Sequence, residues 1–412
     1  MKDSGISWVG EIPKEWSVWR NKYIFKITKD IVLPSKNYQL LSLTTTGIKE
    51  KDENDNGGKV PENYDGYQIV KENDLVMCLF DLDCSAVFSG LSPYNGMISP
   101  AYKVLKVKKR IANEQYYRYW FNYVGSKRFY KQYSKSLRFT LNADEFNRLF
   151  SLLPPLDEQQ RIAEFLDRAC GKIDGLKADI QAQIDTLEQY KRSVITEAVT
   201  HGLNPSAPMK DSGIPWVGQF PTHWTKKKGK YILRYMSKPV KQDDGVITCF
   251  RDGEVTLRSN RREDGFTMAD KEIGYQGVDV GDLVVHGMDG FAGAIGISDS
   301  RGKASPVLNV LNTQQNKKYI MYYLRSMAYG EVFTALSTGI RVRSCDLRWN
   351  KLAELLYPLP PIDEQNNIVN YIDEQIARTN EIIADKKSQI ETLDGYKKSL
   401  IYEYVTGKKE VG

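Results

Sequence analysis

The fold of this chain turns on residues 153–200, LPPLDEQQRIAEFLDRACGKIDGLKADIQAQIDTLEQYKRSVITEAVT. After Pro154-Pro155 no proline occurs until Pro205, and Asp157-Glu158 place two carboxylates where the first turn of a helix is electropositive. Steps of three and four residues alternate through Ala163, Leu166, Cys170, Ile173, Lys177, Ile180, Ile184, Leu187, Lys191, Val194 and Ala198, and nine of these eleven are apolar. That 3.5-residue seam predicts one long helix with a coiled-coil face. About 44 residues at ~1.5 Å each make a rod of roughly 65 Å. Such a rod overhangs a globule of ~150 residues, whose radius of gyration is ~15 Å. The seam therefore needs a partner beyond its own globule.

The chain supplies that partner, because it is written twice. LPPLDEQ (Leu153 to Gln159) returns as LPPIDEQ (Leu359 to Gln365), and LEQYKRSVITEAVT (187–200) as LDGYKKSLIYEYVT (393–406), both at an offset of 206. The second seam runs through Val369, Ile372, Ile376, Thr379, Ile383, Lys386, Ile390, Leu393, Lys397, Leu400 and Tyr404, with eight apolar positions. Thr379 and Lys386 weaken its heptad character. Upstream, MKDSGISWVGEIPKEW (1–16) returns as MKDSGIPWVGQFPTHW (209–224), and Asp74-Leu75-Val76 as Asp282-Leu283-Val284, at an offset of 208. A period near 207 is too long for a solenoid unit, so this is a duplicated domain pair. The order is a first globule at 1–156, a helix and linker at 157–205, a second globule at 206–362, and a second helix at 363–412. With a whole globule between them, the helices are expected to close as an antiparallel coiled coil. That arrangement is pseudo-twofold symmetric, with one globule near each end.

Each globule reads as mixed α/β, of the α+β kind. Short β-rich runs (38–46, 75–80 and 101–107; 246–250, 282–286 and 307–310) alternate with Gly- and Asn-containing turns. A tyrosine-rich helical stretch follows in each, at 114–123 and 318–327. Its aromatics are expected in the core rather than on a base-stacking surface. Asp74 and Asp282 are read as turn residues, and so are Asp81 and Asp83, which have no counterpart pair in the second half.

Composition narrows the class. With 412 residues, 41% hydrophobic and 27% charged, the chain is not largely disordered. No run approaches the ~18 apolar residues of a membrane span, and Met1-Lys2-Asp3-Ser4 begins without an apolar signal region. A cytoplasmic protein with no membrane contact is expected. Five cysteines without CxxC spacing argue against a disulfide framework or zinc cluster. Residues 1–156 hold 23 Lys+Arg against 17 Asp+Glu, and residues 209–362 hold 22 against 16. The segments 157–205 and 363–412 hold 6 against 9 and 7 against 10. Two basic globules thus alternate with two mildly acidic helices, a pattern suited to two anion-binding modules on spacers.

Catalytic signatures are missing. Five Gly-Lys pairs occur, at Gly58, Gly171, Gly229, Gly302 and Gly407, and none is followed by Ser or Thr as a phosphate loop requires. Asn-Pro occurs once, at Asn204-Pro205, without the Pro-aromatic continuation that amino-methyltransferases use. His201, His223 and His286 lack metal-ligand spacing. No catalytic residue, metal site or cofactor is assigned.

Basic residues in irregular stretches are the candidate DNA contacts. In the first globule these are Lys36, Lys49 and Lys59, with Lys51 beside them, around Thr44-Thr45-Thr46-Gly47, and then Lys135 and Arg138 with Lys131. In the second they are Arg251, Arg258, Arg261 and Arg262, then Arg341 and Arg343 with Arg348. Ser136-Leu137-Arg138 corresponds to Gly339-Ile340-Arg341, so one basic loop exists twice. Arginine pairs bidentately with guanine in the major groove, whereas lysine mostly neutralises phosphate. The density of Arg258, Arg261 and Arg262 calls for a neutralising anion, and DNA is the expected partner, with acidic surface loops as the alternative.

Across essentially its whole length the chain resembles the specificity (S) subunit of type I restriction-modification systems. The resemblance rests on three duplicated signatures: W-V-G…P…W ahead of each globule, LPP-[LI]-DEQ ahead of each helix, and Tyr-Lys-x-Ser-[VL]-Ile-x-Glu-x-Val-Thr at each helix end. It implies a non-catalytic subunit with two target-recognition domains, each reading one half of a bipartite site in double-stranded DNA. The helices are implied to act as a ruler and to dock two methyltransferase subunits. A restriction and translocase subunit joins through the assembled complex, and catalysis lies in those partner chains. Two other classes stay open at this point: an adaptor whose basic globules bind protein, and a nuclease or methyltransferase in its own right, which the missing motifs disfavour.

Overall fold

Both proline-led segments form the helices their seams predict. In the computed structural model the first long helix spans Leu156–His201 and the second Ile362–Val405. The structure describes residues 1–32, 38–51, 64–261, 273–336 and 347–411. Every seam position on both helices is buried or half-buried. Thr379 is accommodated because its hydroxyl donates to the Gln375 carbonyl one turn back, at 2.7 Å. Lys386 is accommodated because its ammonium donates to Gln183 Oε1 at 2.5 Å.

Two compact units divide the chain, residues 1–180 with 388–412 and residues 181–387, so each long helix contributes to both. In the first unit Lys397 donates to both carboxylate oxygens of Asp174 at 2.7 Å, and Lys177 pairs with Asp394. The order of partners is reversed along the two segments, which therefore run antiparallel. In the second unit Lys191 reaches Asn380 Oδ1 at 2.8 Å while Lys386 reaches Gln183, again antiparallel. Lys191 and Asn380 are the repeat equivalents of Lys397 and Asp174.

The sheets also repeat. The first unit holds a four-stranded antiparallel sheet in the order Phe25–Thr28, Lys103–Val107, Leu75–Met77, Ser89–Leu91. The second holds Leu233–Tyr235, Leu308–Thr313, Leu283–His286, Ile295–Ile297 in the same order. Asp74 and Asp282 are turn residues: Asp74 Oδ2 accepts the Lys71 N–H at 2.9 Å, and Asp282 Oδ2 accepts the Asp279 N–H at 2.8 Å. The Asp81 carbonyl likewise closes a turn, accepting from Ser85 N–H at 2.7 Å.

The tyrosine-rich stretches form helices, Glu114–Ser126 and Lys317–Tyr329, and both lie in the core. Tyr116, Tyr117, Trp120 and Phe121 are wholly buried with Trp16 in the first unit, as are Tyr319 and Tyr323 with Trp224 in the second. Each core is continuous with the helix segments of its own unit, Leu166 and Val405 in the first, Val199 and Ile372 in the second.

The LPP-x-DEQ motif is the joint between globule and helix. Trp16 donates its indole N–H to Glu158 at 2.9 Å, and Trp224 donates to Glu364 at 3.1 Å. Burial pushes the Glu158 carboxyl above the ordinary range, against the lowering effect of the indole bond. Gln159 is fully buried; its oxygen accepts the Asn113 N–H at 2.8 Å, and its amide donates to the Pro154 and Ile111 carbonyls. Gln365 accepts from Asn316 N–H at 3.0 Å and donates to the Pro360 carbonyl. Asn113 and Asn316 cap the tyrosine-rich helices, so one glutamine ties two helix starts together. At the far ends Tyr116 donates to the Val405 carbonyl at 3.0 Å and Tyr319 to the Val199 carbonyl at 3.1 Å, satisfying acceptors a helix terminus leaves open.

Candidate nucleic-acid interface

Among the described residues the basic candidates lie on surface hairpins, turns and loops. In the first unit Lys49 is exposed on the strand Gly47–Glu50, after a turn closed by Thr44 Oγ1 donating to the Gly47 carbonyl at 2.7 Å. Gly47 sits at φ +111°, where a β-carbon is disfavoured, and so the turn needs glycine. Lys51 is half-buried. The second basic loop is tightly laced: Thr140 N–H donates to Ser136 Oγ at 2.7 Å and Ser134 Oγ donates to the Thr140 carbonyl at 2.8 Å. These bonds push out a tip where Leu137 is fully exposed between the exposed Lys135 and Arg138. Lys131 lies over the Phe139 ring at 4.5 Å.

In the second unit the strands Ile247–Cys249 and Val255–Leu257 form a hairpin whose turn holds Arg251 and Asp252. Gly253, at φ +94°, completes it. Arg258 follows the second strand and its Nε donates to Thr248 Oγ1 at 3.2 Å. Arg261 forks onto both oxygens of Asp252, at 3.0 and 2.5 Å, and reaches Glu254 at 3.0 Å. Its guanidinium also lies 4.2 Å from the centre of the Phe250 ring. The Arg261 hydrogen bonds hold the Asp252 carboxyl below its ordinary range. Arg251 pairs with Asp289 at 3.0 Å.

These pairings correct the expectation that the density of arginines calls for DNA. The anions that answer Arg261 and Arg251 are the protein's own, the acidic alternative left open by the sequence. Arg348 is exposed at the start of the short helix Trp349–Glu354. Lys36, Lys59, Arg262, Arg341 and Arg343 lie outside the described residues, and so does the loop 339–341 that mirrors 136–138.

The structure thus places Arg251 on the hairpin turn with Arg258 and Arg261 just beyond its second strand, and Lys135 and Arg138 on one loop after the short helical turn that holds Lys131. Sequence reasoning missed the roles of Glu158, Gln159, Glu364 and Gln365, although their recurrence at one offset was a usable signal. It also missed Arg192 and Arg325, which carry no local signature. Among the described residues no group of three or more His, Cys, Asp or Glu side chains could hold a metal, and no helix is long and apolar enough to cross a membrane.

No protein-family model matches the chain. A Methanocaldococcus jannaschii protein assigned as the type I restriction enzyme MjaX specificity subunit is 22% identical over 441 aligned positions, spanning 98% of this chain and 96% of that one. Among solved structures, a chain from a study of complex assembly and conformational transition in a type I restriction-modification system superposes with a TM-score of 0.68 at 13% identity. That match covers 97% of this chain and all of the other. The HsdS subunit from Thermoanaerobacter tengcongensis superposes at 0.51, also at 13% identity, covering 97% and 98%. The chain is thus similar over its whole length to a type I restriction enzyme specificity subunit and shares the fold of these solved type I restriction-modification chains.

Proposed function

We propose that this chain is the non-catalytic DNA-recognition subunit of a cytoplasmic type I restriction-modification complex. The first globule (1–156) reads one half of a bipartite duplex site and the second (206–362) the other. The helical segments 157–205 and 363–412 pair as an antiparallel, pseudo-twofold coiled coil that sets the spacing. The observation that carries this reading is the repeated joint in a chain matched end to end by a specificity subunit. The same indole–glutamate and glutamine–cap bonds fasten a globule to the helices in each unit, as two reading heads on one ruler require. Among the described residues no feature of the globules favours the adaptor alternative.

Partner docking on the helices has its own support. Leu176 and Tyr396 in the first unit are 53% and 57% exposed, and their repeat equivalents in the second, Ile382 and Tyr190, are 48% and 46% exposed. Apolar side chains left in water at matching positions are what two copies of one partner would cover. That partner is the methyltransferase subunit, with the restriction and translocase chain joining through the assembly.

The DNA contacts proposed are Lys49, Lys135 and Arg138 in the first half and Arg251, Arg258 and Arg261 in the second, with Lys36, Lys59, Arg262, Arg341 and Arg343. Methylome sequencing of a host expressing the chain with its methyltransferase partner tests the whole reading. A two-part methylated motif with a fixed spacer is expected. Methylation that ignores deletion of this chain would refute it.

A further inference from the structure

A cleft of about 810 Å³ opens in the second unit between the globule and the helix segments. Ile195 and Tyr329 line it, and four cations stand around it: Lys191 and Arg192 on the first long helix, Arg251 on the hairpin turn, and Arg325 on the tyrosine-rich helix. Two of these are matched. Lys191 holds Glu188 at 2.9 Å, and Arg251 holds Asp289 at 3.0 Å.

The other two are not. Among the described residues no carboxylate pairs with Arg192 or Arg325. Both guanidiniums lie against one ring, 5.4 and 5.7 Å from the centre of Tyr329. Arg325 donates Nε to Tyr329 Oη at 2.9 Å and one terminal nitrogen to the Asp252 carbonyl at 2.7 Å. A guanidinium has five N–H donors, so three remain on Arg325 for a ligand. The acids of the cleft are largely committed: Glu188 answers Lys191, Asp252 answers Arg261, and only the exposed Glu331 has no such partner. Two like charges on one ring repel each other, and an oxyanion between them relieves both while accepting planar, paired hydrogen bonds. The first half has no copy of this arrangement, since Asn122 and Ser126 stand where the second half has Arg325 and Tyr329.

We propose that this cleft binds a backbone phosphate of duplex DNA. Arg192 and Arg325 hold the phosphate, outside the loops that read bases. The inference rests on the DNA-recognition reading above. A DNA phosphate is favoured over a free nucleotide because Arg251, on the same cleft, sits on the hairpin whose second strand leads directly into Arg258 and Arg261.

The test uses the full chain, a fluorescent random-sequence duplex pool, and Arg192→Ala and Arg192→Glu, which change an exposed helix position. A contact to phosphate alone affects every sequence alike, so the pool reads it without knowledge of the target. Arg192→Ala is expected to reduce the slope of log affinity against log salt by about one unit, and Arg192→Glu to weaken binding further. The methylated motif in a host is expected to stay unchanged.

Wild-type slope and affinity in both variants would overturn the inference while leaving DNA recognition intact. A wild-type chain that binds the pool without salt dependence would sink both together. Two other outcomes reassign the cleft and overturn the proposal. One is loss of ATP binding by Arg192→Glu with DNA affinity unchanged. The other is release of the methyltransferase subunit with DNA affinity unchanged.

Discussion

Trp16, Glu158, Gln159 and Tyr116 in the first unit make contacts that Trp224, Glu364, Gln365 and Tyr319 repeat in the second at nearly the same distances. The equivalent hairpins that carry basic residues, by contrast, differ between the two units. In the first unit the hairpin of Leu41–Thr44 and Gly47–Glu50 turns on Thr44 and carries Lys49. The second offers an arginine hairpin braced by its own carboxylates. A joint must transmit geometry and so tolerates little change, whereas a reading surface must fit a particular target. Two copies of one domain can therefore keep the first and diverge in the second. One difference reaches the joint itself: His223 also bonds Glu364, at 2.7 Å, where the first half has Glu15.

The largest expected effect tests whether the joints are equal. Gln159→Ala and Gln365→Ala each strip several buried hydrogen bonds at once, and should each cost about 2–4 kcal/mol. Urea titration reads the loss, and hydrogen exchange should place the opened region in the mutated unit. A loss in one variant and none in the other would show that the joints only look alike.

Next come the divergent surfaces. Arg258→Ala should cost about 1–3 kcal/mol and relax one base position if Arg258 reads a base. Arg138→Ala should weaken all sequences and lower the salt slope by about one if it holds phosphate. On the proposed division into two half-site readers, any relaxed position should fall in a single half of the methylated motif. Relaxation in both halves from one substitution would contradict the division of labour.

A smaller effect separates the equivalent seam pairs. Lys397 faces the charged Asp174 and Lys191 the neutral Asn380. Asp174→Asn should therefore remove under about 1 kcal/mol, with the loss shrinking at high salt. Asn380→Asp should add a similarly small, salt-sensitive gain. Thermal melts at two ionic strengths measure both.

The smallest effect is one of pH. Lys238, and then Arg301, hold the Asp279 carboxyl down to about 2. A depressed carboxylate contributes stability above its unfolded value near 4, and that contribution is lost as pH falls towards 2. In the first unit burial raises Asp74 instead, so acid does not cost that turn its stability. Hydrogen exchange at pH 6 and pH 3 should show Gln276–Val278 loosening on acidification and Gln68–Val70 not loosening, or tightening. Equal loosening would remove the asymmetry.

Much of the architecture is legible in the amino-acid sequence alone. The duplication, the two long helices, their lysine-bearing seams and the tyrosine-rich core helices all follow from period and offset, which are local properties of a chain. Charge and hydrogen-bond partners are not local. Arg261 finds Asp252 nine residues away, Arg251 finds Asp289 across 38, and Trp16 finds Glu158 across 142. Whether a cation is answered by the protein or left facing a cleft depends on where the folded path brings carboxylates. Arg192 and Arg325 illustrate it: 133 positions apart and without any shared motif, they meet over one tyrosine ring because helix and globule pack there.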